Sequence, residues 1–370
     1  MHNYCEIPLE GTYYYVVKHT IGEMTMDSVY RLPIVYNTGI VTECWTSYKM
    51  AIILTSEKSR PWLASHFDIY MEEDGWTVFG NNFDAHPLNY FNDILEINEI
   101  KYEEISADII INTLIELLNK GYYVTVDCLM EKGYIHERMI YGYDLNEKVF
   151  FTLAMGSETK MRERKVGFAR LKHEYTKMVE FLKTNKRERY LRRNWFYTIT
   201  TFRFNENYRN DNSAFEMLKK IFREIHGYKI IRTEDPFLIN DDIKIAYTGL
   251  ACLQGIGEII KRKGFQEHSL TMALVKLYEH RVIIFNGFKW FCAELNINDS
   301  KINGIIKKYK DTIWTMKNLY LLSLKNDIKR NSNFENILID KLTLQYYTEK
   351  RILTDFYEEG VKAFAEGECK

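Results

Sequence analysis

The sequence predicts an α+β fold: helices and an antiparallel sheet first, a helical bundle after them. Three observations carry that expectation. The segments "YYVTVDC", "HERMIYGY" and "VFFTLAM" are rich in β-branched and aromatic residues. The turn-forming runs "MEKG" and "DLNEK" separate them, so they read as a three-stranded meander. Upstream, "CWTSYKMAIIL" and "SADIIINTLIELLNKG" repeat apolar residues near the helical period. Beyond residue 205, nearly every segment pairs an apolar stripe with a charged face, the pattern of bundle helices. The expected division is therefore 1–205 for the α+β part and 206–370 for the helical part.

Taken in order, "GTYYYVV" reads as a strand, and "CWTSYKMAIIL" as a buried helix with Thr42 as its cap. Ser106 caps the next expected helix and Gly121 stops it. After the meander, "NWFYTITTFRFN" is expected to return to the same sheet as a further strand. "SAFEMLKKIFREIHG" runs from a Ser213 cap to a Gly227 stop. The bundle continues through "IAYTGLACLQGIGEIIKRKG", "SLTMALVKLYEHRVIIFNGFKWFCAEL", "SKINGIIKKYKDTIWTMKNLYLLSLKND" and "NFENILIDKLTLQYYTEKRILTDFYEEG".

Composition narrows the function classes. The formal net charge is −1, which gives no overall field to draw the chain to nucleic acid or an anionic membrane. No uncharged apolar run approaches the roughly 20 residues of a spanning helix. The six cysteines are scattered without a CxxC or a disulfide framework. With no amino-terminal signal sequence, that pattern points to free thiols in the cytoplasm. Charge is uneven locally: from Thr159 to Arg193 there are thirteen Lys/Arg against four Glu. Such a run is either a solvated face or a docking surface for an acidic partner. A nucleic-acid partner is not expected, because no aromatic platform accompanies it.

A cysteine nucleophile needs a lowered pKa, a neighbouring base and donors for the oxyanion. Cys44 falls at an expected helix start, where free N–H groups and the helix dipole favour a thiolate. Its own N–H is one candidate oxyanion donor; Asn37, Thr38 and Trp45 are the side candidates for oxyanion and substrate contacts. His136 opens an expected strand and is the candidate base. For the group that orients the histidine, two positions stay open. Thr152 lies about 16 residues on, in the following strand. Asp127 falls opposite His136 if the hairpin turns at residues 131 and 132. Asp144 is expected to form a turn instead. "FDAHP" reads as local loop and "QGIGE" lacks the residues of a phosphate loop, so no metal and no cofactor is expected. Cys128, Cys252 and Cys292 read as core.

The Cys44-Trp45 helix, the "HERMIYGYD" strand, "IAYTGLACLQGIGEII" and "LYEHRVIIFNGFKWF" together resemble the butirosin biosynthesis protein H family. That resemblance implies a papain-like cysteine-protease core followed by a helical part. It also implies acyl transfer in natural-product assembly: an acyl group passes from a carrier-protein thioester, through Cys44, to a small amine. The basic 159–193 segment would then dock an acidic acyl or peptidyl carrier protein. Two positions depart from the family pattern, Arg281 in Glu279-His280-Arg281 and the threonine at the orienting position. A cysteine hydrolase (peptidase, amidase or thioesterase) of the same fold, or a non-catalytic binding protein, is the alternative reading.

Overall fold

The computed structural model describes residues 28–40, 42–79, 90–130, 133, 135–155, 161–185, 199–209, 213–232, 244–265, 267–328 and 333–368. The described chain forms two compact units. One holds the residues up to Ser59 and from Tyr90 to Tyr208; the other holds Arg60 to Phe79 and everything from Arg209 onward. The second cut falls near the expected one, but a short segment in the first half belongs to the helical unit. "GTYYYVV", Cys5 and Cys369 lie outside the described residues.

The first unit is built on seven described strands, all antiparallel. They are β1 (Val29–Arg31), β4 (Leu95–Ile100), β5 (Tyr123–Leu129), β6 (Ile135–Asp144), β7 (Val149–Met155), β8 (Met161–Gly167) and β9 (Ile199–Phe204). The order is β4-β9-β5-β6-β7-β8, with β1 pairing the far half of β6. The expected meander is β5-β6-β7, and "ITTFRF" does return, between β4 and β5. Asp144 forms the β6–β7 turn: its Oδ1 accepts from the Asn146 and Glu147 amides at 2.9 and 3.0 Å. A bulge in β6 between Ile140 and Gly142 brings β1 close. A Cβ on Gly142 would strike the Tyr30 carbonyl oxygen and come within 2.9 Å of Arg31 Cα, so glycine is required there.

Three helices cover this sheet. α1 (Cys44–Ile53) lies against β7 and β9, while α3 (Ile110–Asn119) and α4 (Phe168–Thr184) lie against β5. Strand alternation separates the two faces. Val124, Val126 and Cys128 share a core with Ile110, Leu114 and Leu118 of α3 and Leu171, Tyr175 and Met178 of α4. Each buried Leu, Ile or Val there contributes about 1.5–3 kcal/mol. Tyr123, Thr125 and Asp127 face the other way. α3 starts four residues later than Ser106, and its cap residue is Ile109; the Ser106 carbonyl instead accepts from the Ile109 amide in a turn ahead of the helix.

The helical unit contains α2 (Ser59–Ser65) from Arg60 onward, α5 (Ser213–Ile225), α6 (Ala251–Lys263), α7 (Glu267–Glu294), α8 (Ser300–Ile328) and α9 (Phe334–Glu368). It also has its own sheet, which the sequence reading did not anticipate. β2 (Ile69–Glu72), β3 (Thr77–Phe79), β10 (Lys229–Arg232) and β11 (Lys244–Thr248) pair antiparallel in the order β10-β11-β2-β3. "IAYT" is therefore strand β11, and the expected helix begins only at Ala251. "QGIGE" lies inside α6, where Gly255 is needed for close packing: a Cβ would come within 2.6 Å of the Tyr247 ring and 2.7 Å of Met71 Cε. No described helix is long and apolar enough to cross a membrane.

Candidate active site

α1 begins at Cys44, with Glu43 rather than Thr42 as the cap residue. The start is secured by side chains that bond within the first turn and the loop before it. Ser47 Oγ donates to the Ile40 carbonyl at 2.5 Å and to the Glu43 carbonyl at 2.7 Å, and Thr46 Oγ1 donates to Glu43 Oε2 at 2.7 Å. The first intrahelical bond runs from the Ser47 amide to the Glu43 carbonyl at 2.8 Å. The amides of Cys44, Trp45 and Thr46 therefore have no intrahelical acceptor, and the positive end of the helix dipole lies at the sulfur's residue.

His136, the second residue of β6, meets that cysteine: Cys44 Sγ and His136 Nε2 are 3.4 Å apart. The other ring nitrogen, Nδ1, is 2.6 Å from the backbone carbonyl of Glu137. A carbonyl can only accept, so Nδ1 carries the proton. In the neutral ring Nε2 is then the acceptor, aimed at the thiol. The pair is set to move the thiol proton onto Nε2, and both residues are partly accessible.

Neither side-chain candidate for the orienting role occupies it. The β5–β6 register places Asp127 opposite Glu137 and Cys128 opposite His136, one residue away from the expected pairing. Thr152 pairs with Ile140, four residues along β6 from His136 and so roughly 13 Å away along the strand. Its buried hydroxyl donates to the Arg164 carbonyl at 3.1 Å. The orienting acceptor is the Glu137 main-chain carbonyl, a group with no residue-type signature. The Thr38 hydroxyl is also committed, donating to the Ile40 carbonyl at 2.6 Å. Asn37 is half-buried. The side chain of Trp45 lies outside the described residues.

Burial distinguishes Cys44 from the other described thiols. Burial pushes the Cys128 thiol up to about 12 and the Cys292 thiol up to about 11, and raises Cys252 strongly. All three are buried, whereas Cys44 is only partly so. Behind Cys44, burial lowers the pKa of Lys49, and Glu137, Cys44, Asp127 and Glu99 oppose that shift. Burial raises Tyr48 well above the ordinary range, reinforced by Cys44 and Glu137.

Glu279, His280 and Arg281 are all buried within the helical unit. His280 Nε2 lies 2.8 Å from the Phe67 carbonyl and 3.1 Å from Glu224 Oε1. Arg281 pairs with Glu349 through Nε at 3.1 Å and Nη2 at 3.0 Å. Burial would push the Glu224 carboxyl up, but His280, Arg281 and Lys220 together hold it below the ordinary value.

Much of the basic 159–193 segment is β8 and α4, and several of its charges are already paired. Lys165 binds Glu147, Arg170 binds Glu174 and Lys172 binds Asp108. Arg162 and Arg164 are exposed on β8. The "FDAHP" stretch lies outside the described residues, among which no group of three or more His, Cys, Asp or Glu is placed to hold a metal ion. No protein-family model and no curated protein matches the chain.

Proposed function

We propose that the chain is a papain-like, cysteine-dependent acyltransferase that moves an acyl group from a carrier-protein thioester to a small amine. The observation that carries this reading is the 3.4 Å approach of Cys44 Sγ to His136 Nε2, with Nδ1 committed to a carbonyl. His136 takes the thiol proton, and the thiolate attacks the thioester carbonyl. The Cys44 amide at the helix start is the oxyanion donor. Collapse expels the carrier thiol, which leaves with the proton from Nε2, and the acyl group stays on Cys44. The amine then attacks this acyl-enzyme, gives its proton to His136, and the amide departs as Cys44 recovers its proton.

Thioester chemistry suits the site, because a thiolate exchanges with a thioester at little cost while an amine attack is downhill to the amide. Exposed Arg162 and Arg164 support a carrier partner; Arg164 lies within electrostatic reach of Tyr48, one turn beyond Cys44. The test is intact-protein mass after incubation with a simple acyl thioester, with and without a primary amine. A wild-type adduct that is absent from Cys44→Ala, and discharged by the amine to give the amide, supports the reading. Discharge by water at the same rate identifies a hydrolase, and an equal adduct on Cys44→Ala removes Cys44 as nucleophile.

A further inference from the structure

The sheet face beneath α1 is unusual for a core. The pairings Glu99↔Thr200, Thr200↔Thr125 and Asp127↔Glu137 put three carboxylate residues on one face of β4, β5 and β6. Phe202, two residues from Thr200, shares that face, and Lys49 Nζ sits 5.0 Å from its ring centroid. Lys49 is 2 % exposed and stands five residues along α1 from Cys44. A buried ammonium is stable only with anions around it, and a buried carboxylate needs a cation in turn. Glu137 meets that condition directly, since its Oε1 is buried without a hydrogen-bond partner among the described residues. Glu137 is also the residue whose carbonyl holds His136 Nδ1.

We infer that Lys49 is a positioning residue of the Cys44–His136 pair. It is a buried cation on the nucleophile's helix, set against the sheet face that also carries Glu137, the residue that steadies the histidine. Two effects follow from one charge. Attraction to Glu137 holds α1 and β6 in the relation that sets the sulfur–nitrogen distance. The same charge favours the Cys44 thiolate over the thiol. The other charged or titratable groups around it are Tyr48 on α1, Glu99 on β4, Asp127 on β5, Glu137 and Arg138 on β6, and Arg164 on β8. β7 contains no charged residue, and Arg203 of β9 pairs with Glu96 on the opposite face. The inference rests on the Cys44–His136 reading of the site.

The test measures alkylation of Cys44 by iodoacetamide against pH in the full chain, with the modified residue identified by peptide mapping. Lys49→Met is expected to move the acid limb of the profile up by about one unit, a roughly tenfold slower reaction at pH 6. The rate at high pH, where the thiol is fully ionised, stays the same. Lys49→Arg keeps the wild-type profile. Glu137→Gln, which removes the opposing anion without removing the carbonyl, moves the limb down. A Lys49→Met profile that superimposes on wild type in a folded protein overturns the inference. If Lys49→Met does not fold, the Glu137→Gln profile decides it: no movement overturns it. Acyl-adduct formation is scored separately, so a chain that fails to acylate yet shows the Lys49 effect refutes the transferase reading alone.

Discussion

Arg281 and Glu349 offer a quantitative test of how the helical unit is held together. Their side chains are 1 % and 0 % exposed, and Arg281 Nε and Nη2 reach the Glu349 carboxylate at 3.1 and 3.0 Å. Removing one partner strands the other in the core. Arg281→Met leaves Glu349 with the Gln345 amide at 2.5 Å as its hydrogen-bond donor and takes a cation from Glu224. The expected cost is about 3–5 kcal/mol. For a unit of this size that is roughly 2–4 °C per kcal/mol, or a fall in Tm of about 6–20 °C. The double variant Arg281→Met/Glu349→Leu removes both charges. It leaves the Gln345 amide short of one acceptor, although its bond to the Thr312 carbonyl at 3.0 Å survives, and it takes Arg281 away from His280 Nδ1 and Glu224. Its expected cost is therefore about 1–2 kcal/mol. Urea unfolding of the wild type, both single variants and the double variant closes the cycle. Additive losses would refute the reasoning, because they would mean that neither charge depends on the other.

Two further outcomes follow from the geometry. Thr152→Val should keep the rate of Cys44 acylation within about twofold, since its hydroxyl serves the Arg164 carbonyl, whereas His136→Ala should slow it by about 10²–10⁴-fold; stopped-flow or mass-resolved acylation distinguishes them, and a large loss in Thr152→Val would return it to the site. Lys220 is fully buried, donates to the His66 carbonyl, and burial lowers it to about 8 from 10.5. Between those values the unfolded chain binds more protons, so this group makes stability rise with pH across about 8 to 10.5, its penalty being complete below 8. The stability of wild type relative to Lys220→Met should rise by on the order of 3 kcal/mol over that window, and a flat difference in unfolding free energy would refute it.

What the sequence disclosed follows from how local each signal is. The meander and β9 were legible because β-branched and aromatic runs bounded by turn residues specify strands on their own. Cys44 and His136 were legible as residue types at element starts, and the structure brings them together. The β5–β6 register was misread by a single residue, because the sequence does not reveal the length of the connection, and that slip exchanges Asp127 for Cys128 opposite His136. The β2-β3-β10-β11 sheet escaped because its strands are three to five residues long and its middle pair joins Tyr70 to Thr248. Lys49 gave no sequence signal of its own. At that position a lysine reads as the solvated side of an amphipathic helix, and only the carboxylates that the sheet assembles from distant segments reverse the reading.

That pairing of Tyr70 with Thr248 has a consequence for how the chain is made. The ribosome releases the segment from Arg60 to Phe79 long before β11, its partner, exists. Over the same interval six of the seven described strands of the first sheet, β4 to β9, are synthesised, ending at Phe204. Domains tend to fold as units as they emerge. The sheet of the first unit can thus close while β2 and β3, which interrupt it in sequence, still wait with an unpaired edge. A fragment ending near residue 205 would freeze the chain at that stage. It would carry Cys44 and His136 together with an orphaned apolar hairpin, and the hairpin, not the Cys44–His136 pair, would set its solubility.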